Sequence, residues 1–416
     1  MTHSPPAGGA SAPNLSSPLI HWTEAGLDCS AQWRSERGGA PPKRVMLADD
    51  TMSADVAYRL ACEGTALLWR GDFQNARQML QALGRRADQK PARKQRKGAQ
   101  AAAAPAAPSE AFHQHRQAQS QRARVLGMLL IPFEADYGIA LRRAPDARQA
   151  CAQAWGPAPS EAAQPSVASL RELLGLISAY EWRRKGVEVP ALGPAPHNRI
   201  HPHYGVFSPL RGEYVSLVAN TALPAGDPAG AAWVAFDIGT GTGVLAAVLA
   251  RRGVAHVVAT DQDPRALSCA QDNLAQLGVA QQVHLLRVDL FPPGRANLVV
   301  CNPPWLPARP SSPLEHAVYD EDSRMLLGFL AGLGEHLAPR GEGWLILSDF
   351  AEHLGLRTRA ELLAAFERCG LKVLGRIDTK PQHPKAADAN DPLHRARAAE
   401  VTSLWRLAAV APGQGA

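Results

Sequence analysis

The stretch of sequence that decides the fold runs from Val234 to Leu245 and reads VAFDIGTGTGVL. An apolar run ends in an acid, Asp237, three glycines then alternate with threonines, and a segment of small apolar residues continues to Arg251. This order predicts a strand, a tight turn and a helix. The glycines allow the backbone to pass close to a ligand, and the amino terminus of the helix offers free N–H groups.

The spacing of these glycines separates two kinds of ligand. Nucleotide-binding dehydrogenases carry G-x-G-x-x-G at this place, whereas Val244 stands here where that pattern needs its third glycine. Asp237, two residues before the first glycine, would repel a pyrophosphate and suits a cationic ligand. We therefore favour a site for a positively charged ligand over the nucleotide site of a dehydrogenase. The alternative is that the glycine turn binds no ligand and only packs the strand on the helix.

Strands and helices alternate after Asp237. Strands are expected at 231–236, 254–260, 283–288, 296–301, 343–348, 371–377 and 401–407, and helices at 244–251, 264–277, 320–337 and 357–369. This alternation predicts the α/β class, with a Rossmann-like, seven-stranded, doubly wound sheet that binds ligands at the carboxyl ends of its strands. Four polar side chains fall at those ends, namely Asp237, Asp261, Asp289 and Asn302.

The chain before this sheet is predicted to be a mainly helical N-terminal domain. Residues 1–44 are expected to be mostly disordered, because their first part is rich in Pro, Ser, Ala and Gly. Helical periodicity marks residues 45–86 and 110–185, with a basic Ala/Pro-rich linker at 87–109 between them. We expect a solvated linker rather than an RNA-contacting arm, because no aromatic residue is interleaved for stacking on a base. A connector at 186–204, the sheet domain at 205–408 and a tail at 409–416 complete the map.

Composition narrows the class of protein. The chain has 416 residues, 46% of them hydrophobic, a net charge of +6 and no apolar run long enough for a membrane helix. The six cysteines are scattered without a C-x-x-C pair, and His197, His201 and His203 lack further ligands at zinc spacing, so we expect no metal site. These features predict a cytoplasmic protein with no membrane partner. The positive charge permits a nucleic-acid or acidic partner.

The residues at the strand ends carry a resemblance to a known family. Over residues 205–408 the sequence resembles the class I S-adenosylmethionine-dependent methyltransferases. The glycine stretch is similar to the first motif of that family, and Asp261 is similar to the acid after the second strand, which accepts both ribose hydroxyls. Asp289-Leu290-Phe291 resembles the third motif, in which the acid meets the adenine amino group and the apolar residue covers the ring. The resemblance implies that S-adenosylmethionine is held by Asp237, Gly239, Thr240, Gly241, Gly243, Asp261, Gln262, Asp289, Leu290 and Asn302.

The tetrapeptide Asn302-Pro303-Pro304-Trp305 follows the strand at 296–301. In the family this Asn-Pro-Pro-aromatic motif marks methyl transfer to a planar nitrogen. The Asn302 side-chain oxygen and the Pro303 carbonyl are able to accept the two hydrogens of a target NH₂ group. The prolines stiffen the loop, and Trp305 offers a face for a flat substrate. We therefore expect Asn302, Pro303 and Trp305 to be catalytic, with Pro304 and Trp305 also in contact with the substrate.

Two substrate classes stay open at this point. The segment before the first strand contains Arg211-Gly212-Glu213, which resembles the Arg-x-Glu of HemK-type protein-glutamine N5-methyltransferases, and Asn302 to Pro307 resembles their Asn-Pro-Pro-Tyr-Ile/Leu-Pro. The resemblance makes Arg211 and Glu213 candidates for substrate binding. Trp replaces Tyr here, and the usual Asp-Gly-Gly loop is missing.

The alternative to a glutamine amide is N-methylation of an rRNA or DNA base, which uses the same motif and fits the basic segment 380–397. The expected partner is thus a macromolecule, either a protein such as a translation factor or ribosomal protein, or RNA or DNA. A methyltransferase fold kept as a binding scaffold is a further alternative, which the intact acids and Asn302 disfavour.

Overall fold

The computed structural model describes residues 18–89, 107–158, 164–210, 212–225, 233–310, 313–381, 388–389 and 391–410. These residues form two compact units. The first contains residues 18–89, 122–152, 157–158 and 164–174, and the second contains residues 107–121, 153–156 and the described residues from 175 onward.

The chain before residue 186 alternates between strands and helices. In chain order its elements are β1 (Leu19–Glu24), β2 (Leu27–Trp33), β3 (Arg44–Ala48), α1 (Ala54–Cys62), β4 (Thr65–Trp69), α2 (Phe73–Asp88), α3 (Pro108–Leu126), β5 (Leu129–Phe133), α4 (Arg148–Trp155), β6 (Ser166–Ser169) and α5 (Leu170–Lys185). Strands β1 to β6 form one six-stranded sheet in the order β1-β2-β6-β5-β4-β3.

The prediction of a mainly helical N-terminal domain is therefore wrong. Strands β3, β4 and β5 pair in parallel, and β4 is buried along its whole length. A buried parallel strand is a continuous apolar run, which periodicity cannot distinguish from a short buried helix. Leu67 and Leu68, which fit a helical face in the sequence, lie in β4. Helices α1 to α5 do lie within the segments where helices were predicted.

The predicted boundaries of this region also need correction. Strands β1 and β2 form an antiparallel hairpin, so residues 18–44 are not disordered, and residues 1–17 lie outside the described residues. Ile20, Ala31 and Trp33 are buried in an apolar cluster with Leu68 and Leu130, and this burial stabilises the hairpin. Of the linker predicted at 87–109, residues 90–106 lie outside the described residues, while α2 ends at Asp88 and α3 begins at Pro108.

The second half of the chain contains the predicted large sheet. Its elements are β7 (Val187–Glu188), β8 (Arg199–Ile200), α6 (Glu213–Asn220), β9 (Val234–Ile238), α7 (Val244–Arg251), β10 (His256–Asp261), α8 (Pro264–Gln276), β11 (Val283–Arg287), β12 (Ala296–Cys301), α9 (Arg324–His336), β13 (Leu337–Ser348), α10 (Phe350–His353), α11 (Arg359–Arg368), β14 (Leu371–Thr379), α12 (His394–Ala399) and β15 (Thr402–Ala409). The short pair β7-β8 lies within the predicted connector.

Seven strands form the large sheet in the order β11-β10-β9-β12-β13-β15-β14. Six of them run in the same direction, and β15 lies antiparallel between β13 and β14. The chain moves from β9 outward to β11 and then returns to place β12 on the other side of β9, which makes a topological switch point between β9 and β12. The prediction of a seven-stranded doubly wound sheet is confirmed, and such a switch point is where these sheets bind ligands.

Helices cover both faces of this sheet. One apolar core contains the buried side of α6, α7 and α8, including Val215, Leu245 and Leu274. The other contains α9 and α11, including Phe329 and Phe366. Because both faces are buried, the central strands β9 and β12 are apolar without alternation, and their polar side chains, Asp237 and Asn297, lie next to the strand ends.

Candidate functional site

The glycine loop joins β9 to α7 at the carboxyl edge of the large sheet. The amides of Gly239 and Thr240 both donate to the carbonyl oxygen of Thr260, at 2.9 and 2.8 Å, which ties the loop to the end of β10. Gly239, Gly241 and Gly243 have φ values of 73°, 55° and 79°. These angles lie in the left-handed region, where glycine is strongly favoured, and this explains why the turn needs glycine three times.

The three glycines of the loop have different surroundings. A Cβ atom at Gly239 would lie 2.4 Å from Cε of Met325, and one at Gly243 would lie 3.1 Å from Cβ of Ala270. A Cβ atom at Gly241 would meet no atom within 4 Å. Gly239 and Gly243 therefore allow close packing within the protein, whereas Gly241 leaves room for a ligand against the backbone.

Asp237 lies beneath the loop. Its Oδ2 accepts hydrogen bonds from Oγ1 of Thr240 at 2.6 Å and from the amide of Ala246 at 3.0 Å. The side chain is buried, and this burial raises the pKa of its carboxyl to about 6. Asp237 is not among the residues that line the cavity described below. It holds the loop against the first turn of α7, so its predicted direct contact with the cofactor does not appear in the geometry.

Asp261 ends β10 and faces the cavity. Its Oδ2 accepts from the amide of Gly241 at 3.0 Å, and its Oδ1 accepts from the amide of Asp263 at 2.9 Å. Burial raises the pKa of this carboxyl. Each carboxylate oxygen can accept more than one hydrogen bond, so both remain able to accept from a diol. Gln262 follows on the same wall.

Asp289 and Leu290 follow β11 on the same wall. The carboxylate of Asp289 forms an ion pair with the guanidinium of Arg324, an interaction that nothing in the local sequence predicted. Leu290 has a φ of 69°, and its carbonyl accepts from Oγ1 of Thr260 at 2.6 Å. Phe291 does not line the cavity and stacks instead on the ring of His336, with centroids 4.3 Å apart.

The Asn-Pro-Pro-Trp loop begins where β12 ends. The indole Nε1 of Trp305 donates to Oδ1 of Asn302 at 2.9 Å. Asn302, Pro303, Pro304 and Trp305 all line the cavity. Because β12 lies beside β9 in the sheet, the loop is next to the glycine loop, as the shared sheet edge predicts.

One cavity of about 880 Å³ brings these loops together. Its predicted wall residues are Gly239, Thr240, Gly241, Asp261, Gln262, Asp289, Leu290, Asn302, Pro303, Pro304 and Trp305. The volume is in the range of small-molecule and cofactor sites. Asp237, Gly243 and Glu213 do not line it, and Arg211 lies outside the described residues.

Glu213 begins α6, next to a cavity residue that the sequence reasoning missed. Oε1 of Glu213 is buried and has no hydrogen-bond partner among the described residues. Its neighbour Tyr214 lines the cavity, and burial raises the pKa of the Tyr214 hydroxyl, with Asp237 and Glu213 adding to the effect.

Several other wall residues come from distant parts of the chain. They are Phe112, His115, Phe207, His316, Tyr319, Arg324, Met325, Phe350, Leu393, Arg397 and Glu400. Of these, Leu393 and Arg397 lie in the basic segment 380–397, which fits the base-methylation alternative.

The cluster of three histidines has a structural explanation. Nε2 of His203 lies 2.9 Å from Asp272, and Nδ1 of His201 lies 2.7 Å from the carbonyl oxygen of Arg183, while His197 is exposed. Within the described ranges, no three His, Cys, Asp or Glu side chains are grouped so as to hold a metal ion. No helix in the part of the chain described here has both the length and the apolar character that a membrane crossing needs.

The second unit contains a Rossmann-like, doubly wound sheet whose cavity lies at the carboxyl ends of its strands. Residues 197–371, less than half of the chain, match the family model of the methyltransferase small domain.

Three curated relatives illustrate the range of this family. The chain is 47% identical over 76 residues to a release factor glutamine methyltransferase of Cereibacter sphaeroides, covering 18% of this chain and 27% of the relative. It is 36% identical over 135 residues to the release factor glutamine methyltransferase of Moorella thermoacetica, covering 31% and 47%. It is 29% identical over 162 residues to the tRNA1(Val) (adenine(37)-N6)-methyltransferase of Shewanella loihica, covering 36% and 64%. The chain thus spans less than two thirds of the length of each relative.

Proposed function

We propose that this protein is an S-adenosylmethionine-dependent N-methyltransferase that acts on a planar nitrogen, with a protein glutamine side-chain amide as the favoured acceptor. The observation that carries the proposal is the position of the Asn302–Trp305 loop beside the glycine loop on one cavity. The glycine loop suits the cofactor and the Asn-Pro-Pro-Trp loop suits the acceptor, so the two halves of a transfer reaction share one space.

The residues present fit S-adenosylmethionine. Gly241 leaves space against the loop backbone, and Asp261 offers two acceptor oxygens to a ribose diol. Asp289 and Leu290 supply a polar edge and an apolar face on the adjoining wall. When bound, S-adenosylmethionine supplies an electrophilic methyl group on a sulfonium sulfur. The buried carboxylate of Asp237, beneath the loop, favours a cation nearby.

Asn302 and Pro303 act on the acceptor. Oδ1 of Asn302 and the carbonyl oxygen of Pro303 accept the two hydrogens of the target NH₂ group, which hold its nitrogen in place and draw its lone pair out of conjugation. With S-adenosylmethionine bound, these two oxygens would hold the nitrogen in line with the methyl group that the sulfonium supplies. Because the transfer is an in-line displacement, positioning is the main requirement on the protein.

The glutamine acceptor is favoured by two similarities. Residues 302–307 resemble the corresponding segment of the glutamine-modifying subfamily, and two of the relatives reported above are named release factor glutamine methyltransferases. The second candidate is an exocyclic amine of a nucleic-acid base. It is favoured by the relative named for tRNA adenine N6-methylation, and by the basic side chains of His115, His316 and Arg397 on the cavity wall.

Label transfer distinguishes the two candidates. The protein is incubated with methyl-labelled S-adenosylmethionine and extract from cells that lack it, and the product is divided between protease and ribonuclease. Label lost only to protease supports the amide, and mass spectrometry then places one methyl on a side-chain nitrogen. Label lost only to ribonuclease overturns the amide and favours the base. Label that resists both enzymes and is lost to deoxyribonuclease also favours the base, and label on no macromolecule contradicts both candidates.

A further inference from the structure

Residues 107–121 belong to the second unit although they precede the matched family segment, 197–371, by a long stretch of chain. They include the first part of α3. Phe112 is 1% exposed and lies in an apolar cluster with Leu306, Phe350 and Leu393. Leu306 directly follows the Asn302–Trp305 loop, so this part of α3 packs where the chain leaves the loop.

Arg116 fixes the segment that follows the Asn-Pro-Pro-Trp loop. Its guanidinium donates to the carbonyl oxygen of Arg309 at 2.7 Å and lies 4.0 Å from the centre of the Tyr319 ring. It also lies 3.6 Å from the carboxylate of Glu315. A planar guanidinium makes hydrogen bonds and stacks at once, which a lysine ammonium cannot do. One side chain of α3 therefore contacts three points of residues 309–319.

The same helix reaches the cavity. Phe112 and His115 line it together with the Asn302–Trp305 loop and with Arg397, which lies far from them in the sequence. His113, the neighbour on the same helix, is exposed and does not line the cavity. The helix thus presents a defined pair of side chains to the side of the cavity where the acceptor loop lies.

We infer that α3 contributes a substrate-recognition wall, in which His115 contacts the chemical group that carries the planar nitrogen, the buried Phe112 anchors the helix beside Leu306, and Arg116 positions the loop after Trp305. This inference rests on the proposed function. The wall is supplied by a segment outside the family domain, so it sets acceptor specificity without changing the cofactor half of the site. The buried ring of Phe112 holds α3 in the apolar cluster, and His115, which interacts electrostatically with Asp391, adds a polar ring suited to a neutral polar group such as an amide.

The test uses the full-length protein with His115→Ala, and with His113→Ala as the matched control on the same helix. The acceptor probe is the methyl-accepting fraction of extract from cells lacking the protein, titrated at saturating labelled S-adenosylmethionine. Binding of S-adenosylhomocysteine is measured by calorimetry. His115→Ala is expected to raise the apparent KM for the acceptor about tenfold, the scale of one lost hydrogen bond, while S-adenosylhomocysteine affinity stays unchanged.

Arg116 is tested by Arg116→Ala and Arg116→Lys. Both are expected to lower kcat because the loop after Trp305 loses its support, and lysine should not rescue it, since the ammonium cannot both stack on Tyr319 and reach Arg309. If the wild-type protein transfers label and His115→Ala has the same apparent KM for the acceptor as His113→Ala, the recognition wall is wrong and the proposed function stands. If the wild-type protein does not bind S-adenosylhomocysteine and does not transfer label, the proposed function fails and the inference fails with it.

Discussion

The indole Nε1 of Trp305 donates a hydrogen bond to Oδ1 of Asn302 at 2.9 Å, across one turn of the loop that follows β12. An indole N–H is only a donor, so the atom that it meets must be the amide oxygen and not the amide nitrogen. The bond therefore fixes which way the Asn302 carboxamide faces. One lone pair of that oxygen remains for the hydrogen of a target NH₂ group.

This bond predicts a separate role for the Trp305 nitrogen. Trp305→Phe keeps an aromatic ring but removes the donor, so Asn302 loses its fixed orientation and kcat should fall about tenfold, the scale of one hydrogen bond. Cofactor affinity should not change, because the indole nitrogen acts on the acceptor side. Steady-state kinetics with a calorimetric titration checks this, and Trp305→Ala provides the comparison without a ring. Equal kcat for wild type and Trp305→Phe would show that the hydrogen bond has no part in turnover.

A second prediction concerns Asp261. Asp261→Asn removes a charged bidentate acceptor, so S-adenosylmethionine should bind about 1.5–3 kcal/mol more weakly, the scale of hydrogen bonds to a charged group. The control is Asp322→Asn, which removes one exposed acid that does not line the cavity. Isothermal calorimetry on both variants, each checked for an unchanged melting temperature, gives the comparison. Equal affinities in the two variants would remove Asp261 from the cofactor site.

A third prediction uses two glycines with similar backbone geometry. Gly241 and Gly370 both have positive φ values, of 55° and 64°, and a Cβ atom at either would meet no atom within 4 Å. Alanine at each position should cost a similar backbone strain, about 1–2 kcal/mol. Only Gly241 lines the cavity, so only Gly241→Ala should also weaken cofactor binding. Denaturation and calorimetry on the two variants separate these effects, and normal affinity in Gly241→Ala would contradict the placement of the ligand.

A fourth prediction follows from the buried Asp237. Burial raises the pKa of its carboxyl to about 6, above the ordinary value near 3.8 in the unfolded chain. At a pH between these two pKa values, the carboxyl therefore keeps its proton in the folded state but has lost it in the unfolded state. The contribution of this group to stability falls as the pH rises from 4 to 6. The fall is on the order of 2–3 kcal/mol.

Asp237→Asn removes this titration while keeping an oxygen that accepts from Thr240 and Ala246. The free energy of unfolding of Asp237→Asn should therefore decline less than that of the wild type over pH 4.5 to 6.5. Urea denaturation at intervals across this range gives both slopes. Parallel slopes would mean that Asp237 titrates normally and that its burial has no energetic consequence.

The sheet, and the meeting of most predicted cofactor-binding residues on one cavity, could be predicted from the sequence because their signals are local. Asp261 and Asn302 each end an apolar run, and the carboxyl ends of parallel strands share one edge. Such a rule needs no knowledge of distant contacts. Asp237 shows its limit, because the sequence places it at the strand end but does not say that its carboxylate turns under the loop to Thr240.

The remaining features depend on long-range contacts, which the sequence does not encode locally. Arg324 reaches Asp289 only because α9 packs against the sheet, and α3 reaches Leu306 only through the tertiary fold. The N-terminal sheet was missed for a different reason. The runs at 65–69 and 129–133 are short and, apart from Thr65, apolar, so strand and helix share the same pattern there.

The central claim is that Asn302 acts on the acceptor within a site that binds S-adenosylmethionine. The most direct measurement compares labelled methyl transfer by the wild type and by Asn302→Ala at saturating cofactor, with cofactor affinity measured by calorimetry on the same preparations. The account predicts nearly unchanged affinity and a loss of turnover of about 10²-fold or more, as expected for removal of a preorganised polar group. Turnover that survives in Asn302→Ala would make Asn302 structural and contradict transfer to a planar nitrogen at this loop.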